Sequence, residues 1–364
     1  MQSQGFPLRY INLVVSVDFP GRIAIIDLEY FYILEVITMA ANRFPKHPKI
    51  RKMGTLQCDV AETTPLIWKD ELYRFEVIRR PLLATHEILE GSWHDLPGDP
   101  ALRFVHVRTD TPTPYFAQGH TFGFPFVDED TMYVVTGKSK FRSADGAGWG
   151  NDTLVFFRSK DLVNWERYQE IEMPGWKIYN VNIAKMGDTY TLLIEISAPR
   201  EECGPVPFTF RFMQSKDLTN WTLTPWDHAF QRDVYCGSPS LYTFPGDDHY
   251  YVGYLEEYQH YRFASCIARS KDLVNWEYSP INPIMVYDDE DKQIANPHLT
   301  PAERERIDGA LNINLSDLEM CEYQGRTLIY YAWGDQKGTE FLAAAWYEGP
   351  MHKFCRSFFE PNVD

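Results

Sequence analysis

The sequence predicts an all-β chain, a β-propeller of five similar units behind a short N-terminal extension, and three observations carry that expectation. The first is a repeat: Ser159-Lys-Asp-Leu-Val-Asn-Trp165 returns as Ser215-Lys-Asp-Leu-Thr-Asn-Trp221 and as Ser270-Lys-Asp-Leu-Val-Asn-Trp276, at offsets of 56 and 55 residues. The second is what precedes each copy, a short apolar and aromatic run: Leu154-Val-Phe-Phe-Arg158, Phe208-Thr-Phe-Arg-Phe212 and Ala264-Ser-Cys-Ile-Ala268. The third is a set of hairpin signals, Lys69-Asp70, Asp128-Glu-Asp130, Gly187-Asp188, Gly246-Asp-Asp248 and Gln324-Gly325, each between two further apolar runs. A period of roughly 40 to 50 residues or slightly more, with strands and a turn carrying Asp and Trp, is the sequence form of a propeller blade. Within the repeat the Ser, Lys, Asp and Asn read as a polar turn, and the Trp is expected to close onto the apolar face of its own blade.

Taken in order, residues 1–54 fit the repeat poorly and are read as an N-terminal extension. Leu28 to Ala41 has a helical pattern that Phe44-Pro-Lys-His-Pro48 would end. This segment reads as a helical arm for contacts between copies of the chain, as an extension with little order, or as sequence upstream of a start at Met39 or Met53. Residues 55–364 divide into five units. The first has strands at Thr64–Trp68, Glu71–Val77 and Leu102–Val107; the second at Phe122–Val127, Thr131–Val135 and before Ser159. The third has Tyr179–Ile183, Thr189–Glu195 and the strand before Ser215; the fourth Ser238–Tyr242, His249–Tyr254 and the strand before Ser270. The fifth has Ser316–Met320, Thr327–Tyr331 and Phe341–Trp346. Thr300 to Asp308, rich in Glu and Arg after Pro301, reads as a short helix inserted between the last two units.

Composition narrows the function. A formal charge of −16 argues against nucleic acid, which is bound through cationic patches, and disfavours a polyanionic substrate. Aromatic residues make up 15% of the chain, which suits broad β surfaces and a site that stacks on flat ligands. Six scattered cysteines without a Cys-x-x-Cys pair signal neither a zinc site nor a disulfide framework and are expected to be buried small apolar residues. The start lacks the pattern of a secretory signal, and Asp27, Glu29 and Glu35 interrupt the one long apolar run, so no membrane span and a cytoplasmic location are expected.

Five units with Ser-Lys-Asp-Leu-x-Asn-Trp after the third strand resemble the five-bladed propeller glycoside hydrolases: the arabinanase and β-xylosidase family, the invertase family and the neoagarooligosaccharide hydrolase family. The resemblance covers roughly residues 55 to 360. In arabinanase-like members a first-blade Asp shortly before a Gly-Asp hairpin supplies the base, and other blades supply a second Asp and a Glu acid. Aligned on the hairpins, that position is Glu62 in the first unit and Asp317 in the fifth, and falls near Phe122, Asn180 and Ser238 in the others. The second unit lacks the family's Asp, and His120 and Thr121 stand nearby.

Breaking a glycosidic bond takes two carboxyl groups, one protonated and one ionised. Glu62 and Asp317, at strand starts facing the expected axis, and Glu195, ending an apolar strand where burial would raise its pKa, are the catalytic candidates. The ordinary alternatives are a contact joining first and last blades for the former pair and an ion pair with Arg200 for the latter. Glu76, His120, Trp149, Asn180, Trp333 and Asp335 are substrate-binding candidates: carboxylates at strand ends, a histidine at the pocket mouth, an amide, and indoles that could stack on a sugar. For Glu76 the ordinary alternative is an ion pair with Arg79 or Arg80, for Asp335 a turn, and for the indoles simple packing. Asp59 is a fallback for the first-blade carboxylate. The resemblance implies hydrolysis of a glycosidic bond in an oligosaccharide with no organic cofactor and no metal. A glycoside phosphorylase, which would need a basic cluster such as Arg79, Arg80 and Arg142, and a non-catalytic carbohydrate-binding propeller are the alternatives.

Overall fold

The computed structural model describes residues 45–60, 62–78, 100–138, 150–206, 208–231, 233–336 and 339–361. Trp149 and residues 1–44, with the helix and the subunit contacts expected of them, lie outside these. The chain is mostly β. Its twenty described strands form three four-stranded antiparallel sheets and one sheet of eight.

The first sheet is β2 (Thr64–Trp68), β3 (Glu71–Ile78), β4 (Ala101–His106) and β5 (Thr111–Pro112). The second is β6 (His120–Asp128), β7 (Thr131–Lys138), β8 (Thr153–Ser159) and β9 (Glu166–Glu172). The third is β10 (Lys177–Met186), β11 (Thr189–Ala198), β12 (Thr209–Ser215) and β13 (Thr222–Leu223). The large sheet is two such meanders joined edge to edge. One is β14 (Gly237–Tyr242), β15 (Tyr250–Gln259), β16 (Arg262–Ser270) and β17 (Glu277–Tyr278). The other is β18 (Asn314–Tyr323), β19 (Arg326–Gly334) and β20 (Glu340–Tyr347), completed by β1 (Ile50–Cys58). The seam between them is one parallel pairing, Phe263 with Asn314. Every strand expected from the sequence overlaps one of these, and the expected helix is Pro301–Gly309. Its cap explains why it forms: Thr300 Oγ1 accepts the Glu303 N–H at 3.3 Å and Glu303 accepts the Thr300 N–H at 2.7 Å.

The first strands of the meanders lie side by side. β10 packs between β6 and β14, β14 meets β18, and β18 returns to β2, which touches β6. Among the described residues the buried apolar side chains fall into five clusters, each filling the gap between consecutive meanders. Phe104 and Val134 share one, Leu154 and Ile194 the next, Phe212 and Val252 the third, Tyr251 and Leu315 the fourth; Leu72 and Leu328 join the first meander to the last. Burial of apolar surface between meanders therefore holds the chain together.

The repeated heptapeptide serves this packing, and each of its polar residues has a fixed partner. The serine hydroxyl accepts the backbone N–H of the leucine in two copies, Ser159 from Leu162 at 2.9 Å and Ser270 from Leu273 at 3.0 Å. The aspartate accepts the N–H groups of the next two residues but one and the asparagine side chain, at 2.7 to 2.9 Å in all three copies. Those bonds hold Leu162, Leu218 and Leu273 at positive φ. The lysines reach across to the hairpin between the first two strands: Lys160 to Asp130, Lys216 to Asp188, Lys271 to Asp248. The tryptophans correct the expectation that each closes its own blade. Trp165 stacks on Phe104 (5.7 Å, 5°), Trp221 on Phe156 (5.7 Å, 22°) and Trp276 on Phe212 (5.9 Å, 19°), each time the third strand of the preceding meander. All six cysteines are buried and free, as the spacing suggested. Among the described residues no helix is long and apolar enough to cross a membrane.

Candidate active site

The site is built by a bulge that recurs at one place in the first strands. Pairing with the second strand slips between Thr121 and Phe124, Ile178 and Val181, Gly237 and Ser240, and Ser316 and Glu319. A β-bulge kinks the strand and re-aims a side chain. Phe122, Ser238 and Asp317 sit in three of these bulges at φ of 56°, 46° and 50°, Asn180 sits in the fourth, and Glu62, at φ 53°, stands just ahead of β2. Four of the five positions aligned on their hairpins thus sit in corresponding bulges, on first strands that lie side by side.

Glu195 lies opposite one of these bulges. On β11 its neighbours Ile194 and Ile196 pair with Val181 and Ile178, so Tyr179 and Asn180 bow out across from it. The asparagine fills the gap: its backbone N–H and its side-chain amide donate to Glu195 Oε2 at 3.2 and 2.8 Å. Glu195 as a whole is 3% exposed. Burial, together with the nearby negative charge of Asp317, pushes its pKa up to about 8, against the hydrogen bonds from Asn180 and the Ser238 backbone. On the other side a Cβ added to Gly237 would meet Glu195 Oε1 at 2.9 Å and the Tyr235 hydroxyl at 3.0 Å. A side chain at 237 would occupy the space of the carboxyl.

Asp317 accepts the Ser316 hydroxyl at 2.7 Å, and Ser316 in turn accepts the Asn314 side chain at 2.9 Å. Two residues on along β18, Glu319 is a group the sequence reading missed. It accepts Asn182 at 3.1 Å and the Tyr242 hydroxyl at 3.1 Å, and burial with the Asp317 charge raises its pKa well above the ordinary glutamate range. The available signal was a second acidic residue two positions after Asp317 in the same expected strand.

His120 opens β6 and is 8% exposed. Its Nδ1 faces the carbonyls of Ala117 and Gln118 at 3.1 and 3.0 Å, so Nδ1 carries the proton and Nε2 is a bare acceptor. Burial lowers its pKa. Among the described residues Nε2 has no hydrogen-bond partner. That state suits accepting a ligand hydroxyl and does not suit proton donation.

Three expected binding residues are engaged elsewhere. Glu76 is fully buried between Arg74 at 2.5 Å and Arg103 at 2.6 Å, so it is an internal ion pair out of reach of a substrate. Trp333 is 0% exposed, stacked on Phe341 at 4.5 Å with its indole N–H on Thr55, and offers no face to a sugar. Asp335 accepts the Thr339 N–H at 3.0 Å across a turn. Asp59 likewise forms a two-pronged pair with Arg306 at 2.7 and 2.8 Å. Among the described residues Asp247, Asp248 and His249 bring carboxylates and an imidazole together. There Asp247 is held by His249 and Tyr251, and Asp248 by Lys271, at the hairpin that follows β14, past the end of that strand opposite its bulge.

No protein-family model matches the chain, and no curated protein does. Solved structures do. An α-L-arabinofuranosidase from Podospora anserina, solved with cellotriose, aligns with a TM-score of 0.54 at 8% identity over 84% of this chain and 99% of that one. The catalytic domain of a GH62 α-L-arabinofuranosidase from Coprinopsis cinerea aligns at 0.52 and 8% identity, over 84% and 97% of the two chains. A further glycoside hydrolase aligns at 0.52 and 12% identity, over 87% and 96%. The chain is similar in fold to these solved glycoside hydrolases.

Proposed function

We propose that the five meanders close as a five-bladed β-propeller and that the protein is a glycoside hydrolase acting on an oligosaccharide at the bulge end of its first strands. The observation that carries this reading is Glu195, a carboxyl buried beside Asp317 and held by the bulge amide of Asn180, with a pKa of about 8. At neutral pH it keeps its proton and can give it to a leaving glycosidic oxygen. Asp317 is the second carboxyl, activating water or attacking the anomeric carbon, with Glu62 at the equivalent position of the adjacent first meander. Asn180 orients the acid, and His120 Nε2 accepts a sugar hydroxyl.

The test is product analysis by mass spectrometry on a panel of plant, algal and bacterial oligosaccharides, with and without phosphate. We expect cleavage without phosphate, and a fall of about 10²- to 10⁴-fold in kcat for Glu195→Gln and for Asp317→Asn, the range of a lost acid or base. Cleavage that needs phosphate would make the protein a phosphorylase. Cleavage that survives both substitutions would remove these carboxyls from the mechanism.

A further inference from the structure

Phe208 is half-buried and stands at φ 70°, a backbone conformation a phenylalanine rarely adopts. Its carbonyl accepts the Cys236 N–H at 3.3 Å, which ties it to the residue after Tyr235. The phenyl ring packs against Tyr179 at 4.9 Å and Tyr235 at 5.5 Å, and Tyr235 against Phe263 at 5.9 Å. Phe208, Tyr235 and Phe263 are all partly exposed. Successive planes turn by 45°, 63° and 70°, so edges meet faces along the row. The repeat tryptophans, in contrast, lie within 22° of parallel to their phenylalanines. The row passes the carboxyl at Tyr235, whose hydroxyl and Glu195 Oε1 lie 3.0 and 2.9 Å from where a Cβ on Gly237 would stand. Strained backbone that presents a ring beside a buried acid is the arrangement found where a fold holds a ligand.

We propose that Phe208, Tyr235 and Phe263 form a stacking wall for one uncharged sugar ring of the substrate, with Phe208 as its central contact. A sugar offers an apolar C–H face to an aromatic ring and hydroxyls to carboxyl, amide and imidazole acceptors, and this site supplies both kinds of surface. Asp317 lies beside the wall, within reach of Tyr235 by charge, so a uronic acid, which would bring its carboxylate toward that charge, is disfavoured. The inference rests on the hydrolase reading for the occupant of the site, and its test is a binding measurement that needs no turnover.

The probes are xylotriose, arabinotriose and cellotriose, with trigalacturonate as the charged control. Saturation-transfer NMR and calorimetry are run on the full chain and on Phe208→Leu, which keeps an apolar side chain without a flat face, and Phe208→Tyr, which keeps the ring. At least one neutral probe is expected to bind through its ring C–H protons, about tenfold more weakly in Phe208→Leu and within about twofold of the original in Phe208→Tyr. If Phe208→Leu fails to fold by thermal melt, Phe263→Leu takes its place with the same expectation. Unchanged binding in the Leu variant, tighter binding of trigalacturonate, or no binding of any neutral probe overturns the wall. Phe208-dependent binding without cleavage would keep the wall and remove the hydrolase, whereas cleavage indifferent to Phe208→Leu would do the reverse.

Discussion

A carboxyl keeps its proton at neutral pH only where the ionised form is disfavoured, and at Glu195 burial and the Asp317 charge both act in that direction while Asn180 acts against them. The signs give separate expectations. Asp317→Asn removes a like charge and should lower the Glu195 pKa, whereas Asn180→Ala removes a donor to the ionised form and should raise it. Both are read by carbon-13 NMR of labelled glutamate, with Glu195→Gln identifying the signal, and in an active enzyme the alkaline limb of kcat/KM should follow. Stability obeys the same linkage. The folded pKa of about 8 lies above the ordinary 4.5, so the folded state holds an extra proton between these values. The stabilisation is complete below about pH 4.5 and is lost as the pH rises toward about 8. Glu195→Gln has no proton to lose there, so its melting temperature relative to the original chain should climb between about pH 5 and pH 8, and a flat difference would contradict the assignment. The burial of Glu195 was legible in the sequence because the residue follows an apolar run. Glu319 was not, since its run looked like any core strand, and Glu76 was misjudged because Arg103, one of its two partners, lies on the neighbouring strand and alternation cannot show that.

At the scale of the element, the heptapeptide is a device for joining neighbouring sheets. Its turn fixes a leucine at positive φ through two backbone bonds to one aspartate, and the chain then delivers an indole to the sheet before it. The stack of Trp221 on Phe156 should therefore couple two meanders. We expect Trp221→Ala to cost about 2–4 kcal/mol in urea unfolding and a double-mutant cycle with Phe156→Ala to give a coupling of about 1 kcal/mol. A coupling near zero would mean that the indole only fills space. The aspartates set an acid limit as well. Hydrogen bonds from Asn164, Asn220 and Asn275 hold Asp161, Asp217 and Asp272 below their ordinary 3.8. Their stabilisation is present above that value and is lost as the pH falls below it, so replacing all three by Asn should flatten the decline of the melting temperature below about pH 4. The sequence displayed this turn three times over. It could not display which sheet the tryptophan meets, because that contact crosses between units.

For the whole molecule, the strands were legible because each unit repeats the same run of strand, hairpin and strand. The completion of the last meander was not. Its outer strand β1, Ile50–Cys58, comes from the opposite end of the chain and begins inside the segment read as an extension, since nothing local marks a strand whose partner β20 is nearly 300 residues away. The strand is pinned at Thr55, whose N–H donates to the Gln293 carbonyl at 2.6 Å and whose hydroxyl donates to the Asp291 carbonyl and accepts the Trp333 indole. Gly54 permits this approach. It sits at φ 96°, and a Cβ there would stand 2.2 Å from the Gln293 carbonyl oxygen, a backbone atom that cannot rotate away. Gly54→Ala should thus combine a disfavoured dihedral with a backbone clash beside the pairing of β1 with β20. We expect a loss of about 2 kcal/mol or more in urea unfolding. Amide exchange should speed up selectively across Ile50–Cys58 and β20, because an unpinned β1 opens its own edge first and leaves the other meanders closed. Protection lost evenly over all five meanders would instead show that the molecule unfolds as one unit with no separate latch at β1.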